Sequence, residues 1–210
     1  MFSLCLALAG TAVFMSAAEF PAPAADLPAN GSHRAVAVLA GGCFWGMEAV
    51  FEQLKGVTDV VSGYAGGSIE TAHYEMVGTG RTGHAESVEI TYDPARITYG
   101  KLLQVYFSVA HDPTEVNRQG PDIGTQYRSA IFYASAAEKQ MAEAYIRQLG
   151  QAKVFRYPIA TQLIPFAGFY PAEDDHQDFV ARNPHHSYVV YHDLPKLARL
   201  KQKYPELIGR

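Results

Sequence analysis

The hydrophobic period of this chain changes abruptly around two adjacent glycines, and that change limits its architecture more than any other feature. Val36 to Leu39 is a short continuous apolar run, the pattern of a buried strand. It breaks at Gly41-Gly42, and a helical stripe of Met47, Val50, Phe51 and Leu54 begins almost at once, ending at Gly56. A strand that turns directly into a helix leaves one residue, Cys43, at the junction.

The pattern continues as alternating strands and helices. Val57 to Gly63 reads as a strand, and Gly63 to Gly80 as a glycine-rich loop holding His73 and Tyr74. From Ala85 to Tyr92 the alternation has period two, with Glu86, Val88, Ile90 and Tyr92 on one face. Thr98 caps a helix with Leu102, Tyr106 and Val109 inward, and Gln126 to Tyr133 reads as a strand. Ser135 and Glu138 form a capping box for a helix carrying Met141, Tyr145 and Leu149. Tyr157 to Phe166 reads as a strand and Glu173 to Arg182 as a short polar helix. Asp193 is expected to cap a last helix carrying Leu194, Leu197 and Leu200. Without a long parallel βαβ series, this is one α+β domain with a mixed sheet and flanking helices.

The first thirty or so of the 210 residues differ from the rest. Phe2 to Ala18 is nearly uncharged and apolar, short for a membrane span and of secretory-signal length. Ser16 and Ala18 put small side chains at the −3 and −1 positions of a cut before Glu19, although no Lys or Arg precedes Arg34. The expected organisation is a signal peptide over 1–18, a Pro/Ala-rich linker over 19–33 and one folded domain over 34–210. Export to a periplasmic or extracellular site follows; a retained membrane anchor or a cytoplasmic protein is the alternative if the signal is not cleaved. The net charge of −4, without a Lys/Arg cluster, gives nucleic-acid binding no electrostatic support. The two cysteines, Cys5 and Cys43, are too few for a disulfide framework, and the histidines fit no standard zinc spacing, so no metal is expected.

Chemistry concentrates at Gly41-Gly42-Cys43-Phe44-Trp45-Gly46. A thiol at a helix start faces unpaired N–H groups and the positive end of the dipole, which lowers its pKa and makes it a nucleophile. Phe44 and Trp45, off the inner stripe, are placed to wall an apolar pocket beside the sulfur. The bland alternative is a small buried thiol with aromatics packed under a loop. Glu86, on the core-facing parity of its strand, is expected to be protonated by burial and able to donate a proton, unless Arg81 or Arg128 pairs with it. Tyr74 and Tyr127 carry hydroxyls that can bind a substrate oxygen, though most tyrosines are structural. Asp122 reads first as a turn residue and His111 as a helix C-cap. The rival functions are a hydrolase or acyl transferase pairing Cys43 with a histidine such as His84, and a secreted binding module in which Cys43 is core.

Around Gly42-Cys43-Phe44-Trp45-Gly46 the chain resembles the class A peptide methionine sulfoxide reductases. The likeness continues through Gly83-His84-Ala85-Glu86, Gln104 to Pro113, Gly124-Thr125-Gln126-Tyr127-Arg128-Ser129-Ala130-Ile131 and Ala172-Glu173-Asp174-Asp175-His176-Gln177 to Asn183-Pro184, covering about residues 34 to 192. The resemblance implies a two-layer α/β sandwich of ferredoxin-like type with a long coiled C-terminal segment. It implies Cys43 as the nucleophile on the sulfoxide sulfur, Phe44 and Trp45 around the substrate methyl group, and Glu86 as the acid for the sulfoxide oxygen. Tyr74 and Tyr127 would steady that oxygen and Asp122 would help shape the site. The substrates implied are the S epimer of methionine sulfoxide, free and in oxidised proteins, with no bound cofactor. One departure matters: no cysteine follows Cys43, where many family members carry a resolving cysteine in the tail. A Cys43 sulfenic acid would then need an outside thiol, from thioredoxin, glutaredoxin, another dithiol or glutathione. A monomer is expected.

Overall fold

The computed structural model describes residues 20–28 and 31–209; the proposed signal over Phe2 to Ala18, with Cys5, lies outside them. The elements in chain order are β1 (Ala35–Gly41), α1 (Phe44–Glu52), β2 (Val57–Ala65), α2 (Tyr74–Val77), β3 (Ala85–Tyr92) and α3 (Tyr99–Val105). There follow β4 (Arg118–Gln119), β5 (Asp122–Ile123), β6 (Ser129–Tyr133), α4 (Ala136–Gln151), β7 (Gln162–Pro165), β8 (Phe169–Pro171), α5 (Phe179–Arg182) and α6 (Leu194–Lys203).

Six strands form one mixed sheet in the order β7-β6-β1-β3-β2-β8, and β4 and β5 form a separate hairpin. All pairings in the large sheet are antiparallel except β6 with β7. The period-two alternation of β3 puts Val88, Ile90 and Tyr92 into the main core, where they meet Phe44, Met47, Val50 and Phe51 of α1 and Leu102 and Leu103 of α3. Met141, Tyr145 and Leu149 of α4 close the same layer. The other face of the sheet carries small side chains, Ala40, Ala65, Ala85 and Ala130, around Phe132. Helices therefore pack on one face, giving a two-layer α+β domain.

Several elements differ from the sequence reading. The strand expected from Gln126 begins only at Ser129, because Thr125–Tyr127 coils into a single 3₁₀ turn. That expected over Tyr157 to Phe166 is ordered as a strand only over Gln162–Pro165, since only that part pairs with β6. The polar helix from Glu173 shrinks to Phe179–Arg182, interrupted by Asp178 in a left-handed conformation at φ 52°. Asp193 is the N-cap residue of α6, as expected, but its side chain makes no capping bond: the five-residue π turn Val189–Asp193 delivers the chain already helical, and the carboxylate takes Lys196 at 3.3 Å.

The Pro/Ala-rich run is docked where it is described. Tyr145 donates to the Pro21 carbonyl at 2.6 Å, Gln148 to that of Ala22 at 2.7 Å, and the Gly100 N–H donates to the Asp26 carboxylate at 2.9 Å.

Candidate active site

Three chain segments end at the same edge of the sheet. β1 pairs Leu39 with Val88 of β3 and Gly41 with Ser129 of β6, so the exit of β1 lies beside the entries of β3 and β6. That topology gathers Cys43, Glu86 and Tyr127. Gly42 makes the turn at φ +92°, and a Cβ there would lie 2.6 Å from Cβ of Gln119, so both its conformation and its space call for glycine. Cys43 is then the N-cap residue of α1.

Glu86 is buried, and one of its carboxylate oxygens accepts the backbone N–H of Phe44 at 3.1 Å. The cationic partner weighed for it is absent among the described residues: the Arg128 guanidinium donates to the carbonyls of His84, Thr125 and Gly83. Burial pushes Glu86 up to about 8, the Phe44 N–H pulls it part of the way back, and Asp122 adds to the rise. The carboxyl thus carries its proton at neutral pH.

Cys43 corrects the sequence reading. Burial, then Glu86, then Asp193, push its thiol well above the usual range, although the Trp45 backbone N–H and Lys196 pull the other way. The helix start does favour the thiolate, but Cys43 is only 8% exposed and desolvation outweighs the dipole. The unliganded site therefore rests as a thiol facing a carboxylic acid.

The aromatic residues form one connected wall. Phe44, expected off the inner stripe, is fully buried in the main core, its ring 5.8 Å from Tyr64 and 5.3 Å from His176. It therefore lies under the site and is no exposed rim. Trp45 stacks on Phe179 at 3.6 Å, and its indole N–H donates to Nδ1 of His176 at 3.2 Å. Tyr74 is 40% exposed and lies 4.2 Å from the His176 ring. The hydroxyls of Tyr74 and Tyr127 are both raised, first by burial and then by Glu86, with Cys43 and Asp122 also acting on each. They remain donors, each close enough to Glu86 and Cys43 to feel their charge. Asp122, on the β4–β5 hairpin, accepts a very short hydrogen bond from the Tyr188 hydroxyl. It sits at the site as well as in a turn.

Sequence reasoning missed four members. His176 and Tyr188 lie in or just after quoted motifs, but nothing in their spacing gives them a role. The Asp193–Lys196 pair lies against Gly46, where any side chain would collide with it. Tyr188 packs its ring edgewise on Trp45 at 5.7 Å. The Cys–His rival gets no support from His84, the histidine weighed for it, or from His111: the His84 ring bonds Gly67 N–H and the Ser68 carbonyl, and the His111 ring bonds the Tyr106 carbonyl and the Ser129 hydroxyl. Burial holds His111 down at about 3, a neutral ring that ties the end of its helix to β6.

A recessed thiol, a neutral buried carboxyl and two tyrosine hydroxyls coupled to both are the groups a thiol oxidoreductase acting on a bound oxygen needs. The model of the peptide methionine sulfoxide reductase family matches residues 35–207. A peptide methionine sulfoxide reductase MsrA 2 from Mesorhizobium japonicum is 61% identical over 171 residues, covering 81% of this chain and 88% of the relative. Methionine sulfoxide reductase A of Corynebacterium diphtheriae shares the fold at TM-score 0.64 and 37% identity, covering 73% of this chain and 77% of that one. The reduced form of Mxr1 from Saccharomyces cerevisiae aligns at TM-score 0.67 and 35% identity, covering 73% and 88%. The chain belongs to the peptide methionine sulfoxide reductase family, class A. It is an oxidoreductase that reduces methionine sulfoxide to methionine, a reaction that repairs oxidised proteins.

Proposed function

We propose that this chain reduces the S epimer of methionine sulfoxide, free or within oxidised proteins, through Cys43 alone, and that an outside thiol regenerates it. The observation that carries this reading is the proton on Glu86, a carboxyl pushed up to about 8 beside the only cysteine of the catalytic domain. The sulfoxide oxygen enters between Glu86, Tyr74 and Tyr127 and takes up their hydrogen bonds. Proton donation from Glu86 makes the oxygen a better leaving group and removes the S–O bond's electron density from the substrate sulfur. As Glu86 loses its proton to the oxygen, the Cys43 proton has a nearby carboxylate to go to. A thiol held high at rest is thereby ionised only when substrate is present.

The balance is simple. Methionine sulfoxide and Cys43–SH become methionine and Cys43–SOH; the substrate sulfur gains two electrons and the cysteine sulfur loses two. Trp45, held by Phe179 and His176, flanks the thioether methyl. Because Cys43 is the last cysteine in the chain, no tail thiol can close a disulfide on it, and the sulfenic acid waits for thioredoxin, glutaredoxin or a small thiol. Incubating the enzyme with each epimer and a dithiol tests the reading. Methionine should form from the S epimer only, and not at all with Cys43→Ser. Turnover of the R epimer at the same rate would refute it.

A further inference from the structure

We propose that the cleft reaching Cys43 past Lys196 and Arg199 is the binding site of the reducing thiol, and that this thiol is a small molecule bearing carboxylates. The proposal rests on the one-cysteine reading above. The cleft has a volume of about 710 Å³, and Cys43, Gln119, Tyr188 and Lys196 line it. None of Glu86, Tyr74, Tyr127 or Trp45 does so. The sulfur is therefore approached from a side other than the one where the oxygen is held. A thiolate displaces the hydroxyl of a sulfenic acid along the extension of the S–O bond, so it must arrive away from that oxygen. This cleft supplies such a path.

Its charge selects the visitor. On α6, Lys196, Arg199 and Lys203 recur at i, i+3 and i+7 and so share the face along the cleft. Lys196 is held by buried Asp193, and of the acids lining the opposite wall Glu115 is occupied by Arg118 at 3.3 Å. Asp112 on that wall accepts from the Thr114 N–H and hydroxyl. Arg199 and Lys203 make no ion pair among the described residues, and burial followed by Arg199 lowers Lys203. Two unneutralised cations beside each other favour an anion between them. The volume is that of a small-ligand pocket, and Cys43, which lines it, is buried.

The step balances. The thiol leaves its proton to solvent, and its thiolate forms an S–S bond to Cys43 as the S–O bond breaks. Glu86 protonates the departing hydroxide to water. A second thiolate then attacks the mixed disulfide, releasing the oxidised small disulfide and the Cys43 thiolate, which regains a proton.

The test compares glutathione, which carries two carboxylates, with uncharged 2-mercaptoethanol as reductants of the full chain and of an Arg199→Glu/Lys203→Glu variant. The KM for glutathione should rise about tenfold or more, and the rise should shrink with added salt. The KM values for 2-mercaptoethanol and for methionine sulfoxide should stay put. Equal shifts for both thiols, no shift, a shift in the sulfoxide KM, or recycling of the wild type by a protein dithiol but not by glutathione would each overturn the proposal. If the double variant fails to fold, Arg199→Gln alone should give the same selective effect at smaller size. A single turnover without any thiol, yielding one methionine per chain, tests the one-cysteine reading separately. If that burst occurs and the glutathione effect does not, only the cleft assignment falls.

Discussion

Glu86 accepts the N–H of Phe44, the first residue of the helix that Cys43 caps, at 3.1 Å. The acid and the nucleophile are thus fixed to each other through backbone, by the exit of β1 and the entry of β3.

That coupling sets the pH behaviour. With Glu86 pushed up to about 8, single-turnover reduction should be flat at neutral pH and fall as the carboxyl loses its proton above about 8. Glu86→Gln should keep the fold and the Phe44 hydrogen bond but slow methionine formation by about 10²–10⁴-fold, the usual contribution of a general acid. Stopped-flow measurement across pH 6 to 9 checks both. Normal rates in Glu86→Gln would remove its acid role.

Glu48 makes a stability prediction of the same sign. Burial, with Glu52 and Asp178, pushes it up to about 8, and it is 2% exposed. A carboxyl whose folded pKa lies above its unfolded one stabilises the fold fully below the unfolded value and loses that contribution as pH rises toward the folded one. Glu48→Gln should raise unfolding free energy by about 1–2 kcal/mol at pH 8 and by little at pH 4.5. Urea midpoints at the two pH values decide it.

Trp45 is the single tryptophan of the chain, stacked on Phe179 and bonded to His176. Trp45→Ala should lower kcat/KM by about 10- to 100-fold through loss of an apolar wall worth about 1.5–3 kcal/mol. In Cys43→Ser, which binds without turning over, the Trp45 emission should change as S-sulfoxide is titrated in. An emission unaffected by saturating substrate would place the methyl group elsewhere.

Tyr188 and Asp122 tie the tail to the β4–β5 hairpin. Tyr188→Phe and Asp122→Asn should each cost kcat/KM about tenfold, and the double variant should cost little more than either, because both remove one contact. Steady-state kinetics on the three variants would show additivity if the two side chains act independently.

Much of this arrangement is legible from local pattern. The Gly41-Gly42 break placed Cys43 at a helix start, and the parity of β3 turned Glu86 inward. What escaped is long-range. Whether the thiol is raised or lowered depends on burial by α6 and the tail, and on two carboxylates, one of them more than a hundred residues away. Asp193 does stand at the N-cap of α6, but the π turn before it is already helical, and its carboxylate takes Lys196 and no backbone N–H of the helix. Phe44 is buried because it stands at i, i+3, i+7 and i+10 with Met47, Phe51 and Leu54, a place on the edge of the inner stripe that the sequence reading passed over. Roles for His176 and Tyr188 could not be read from spacing, since they come from stacking across segments.

The central claim is that one sulfur does the chemistry. The most direct measurement is mass spectrometry of the full chain after one turnover on S-sulfoxide without reductant, with a sulfenate trap such as dimedone. The account predicts one methionine per chain and one trapped oxidised sulfur, at Cys43. A disulfide within the chain, or methionine released with Cys43 still a thiol, would contradict it.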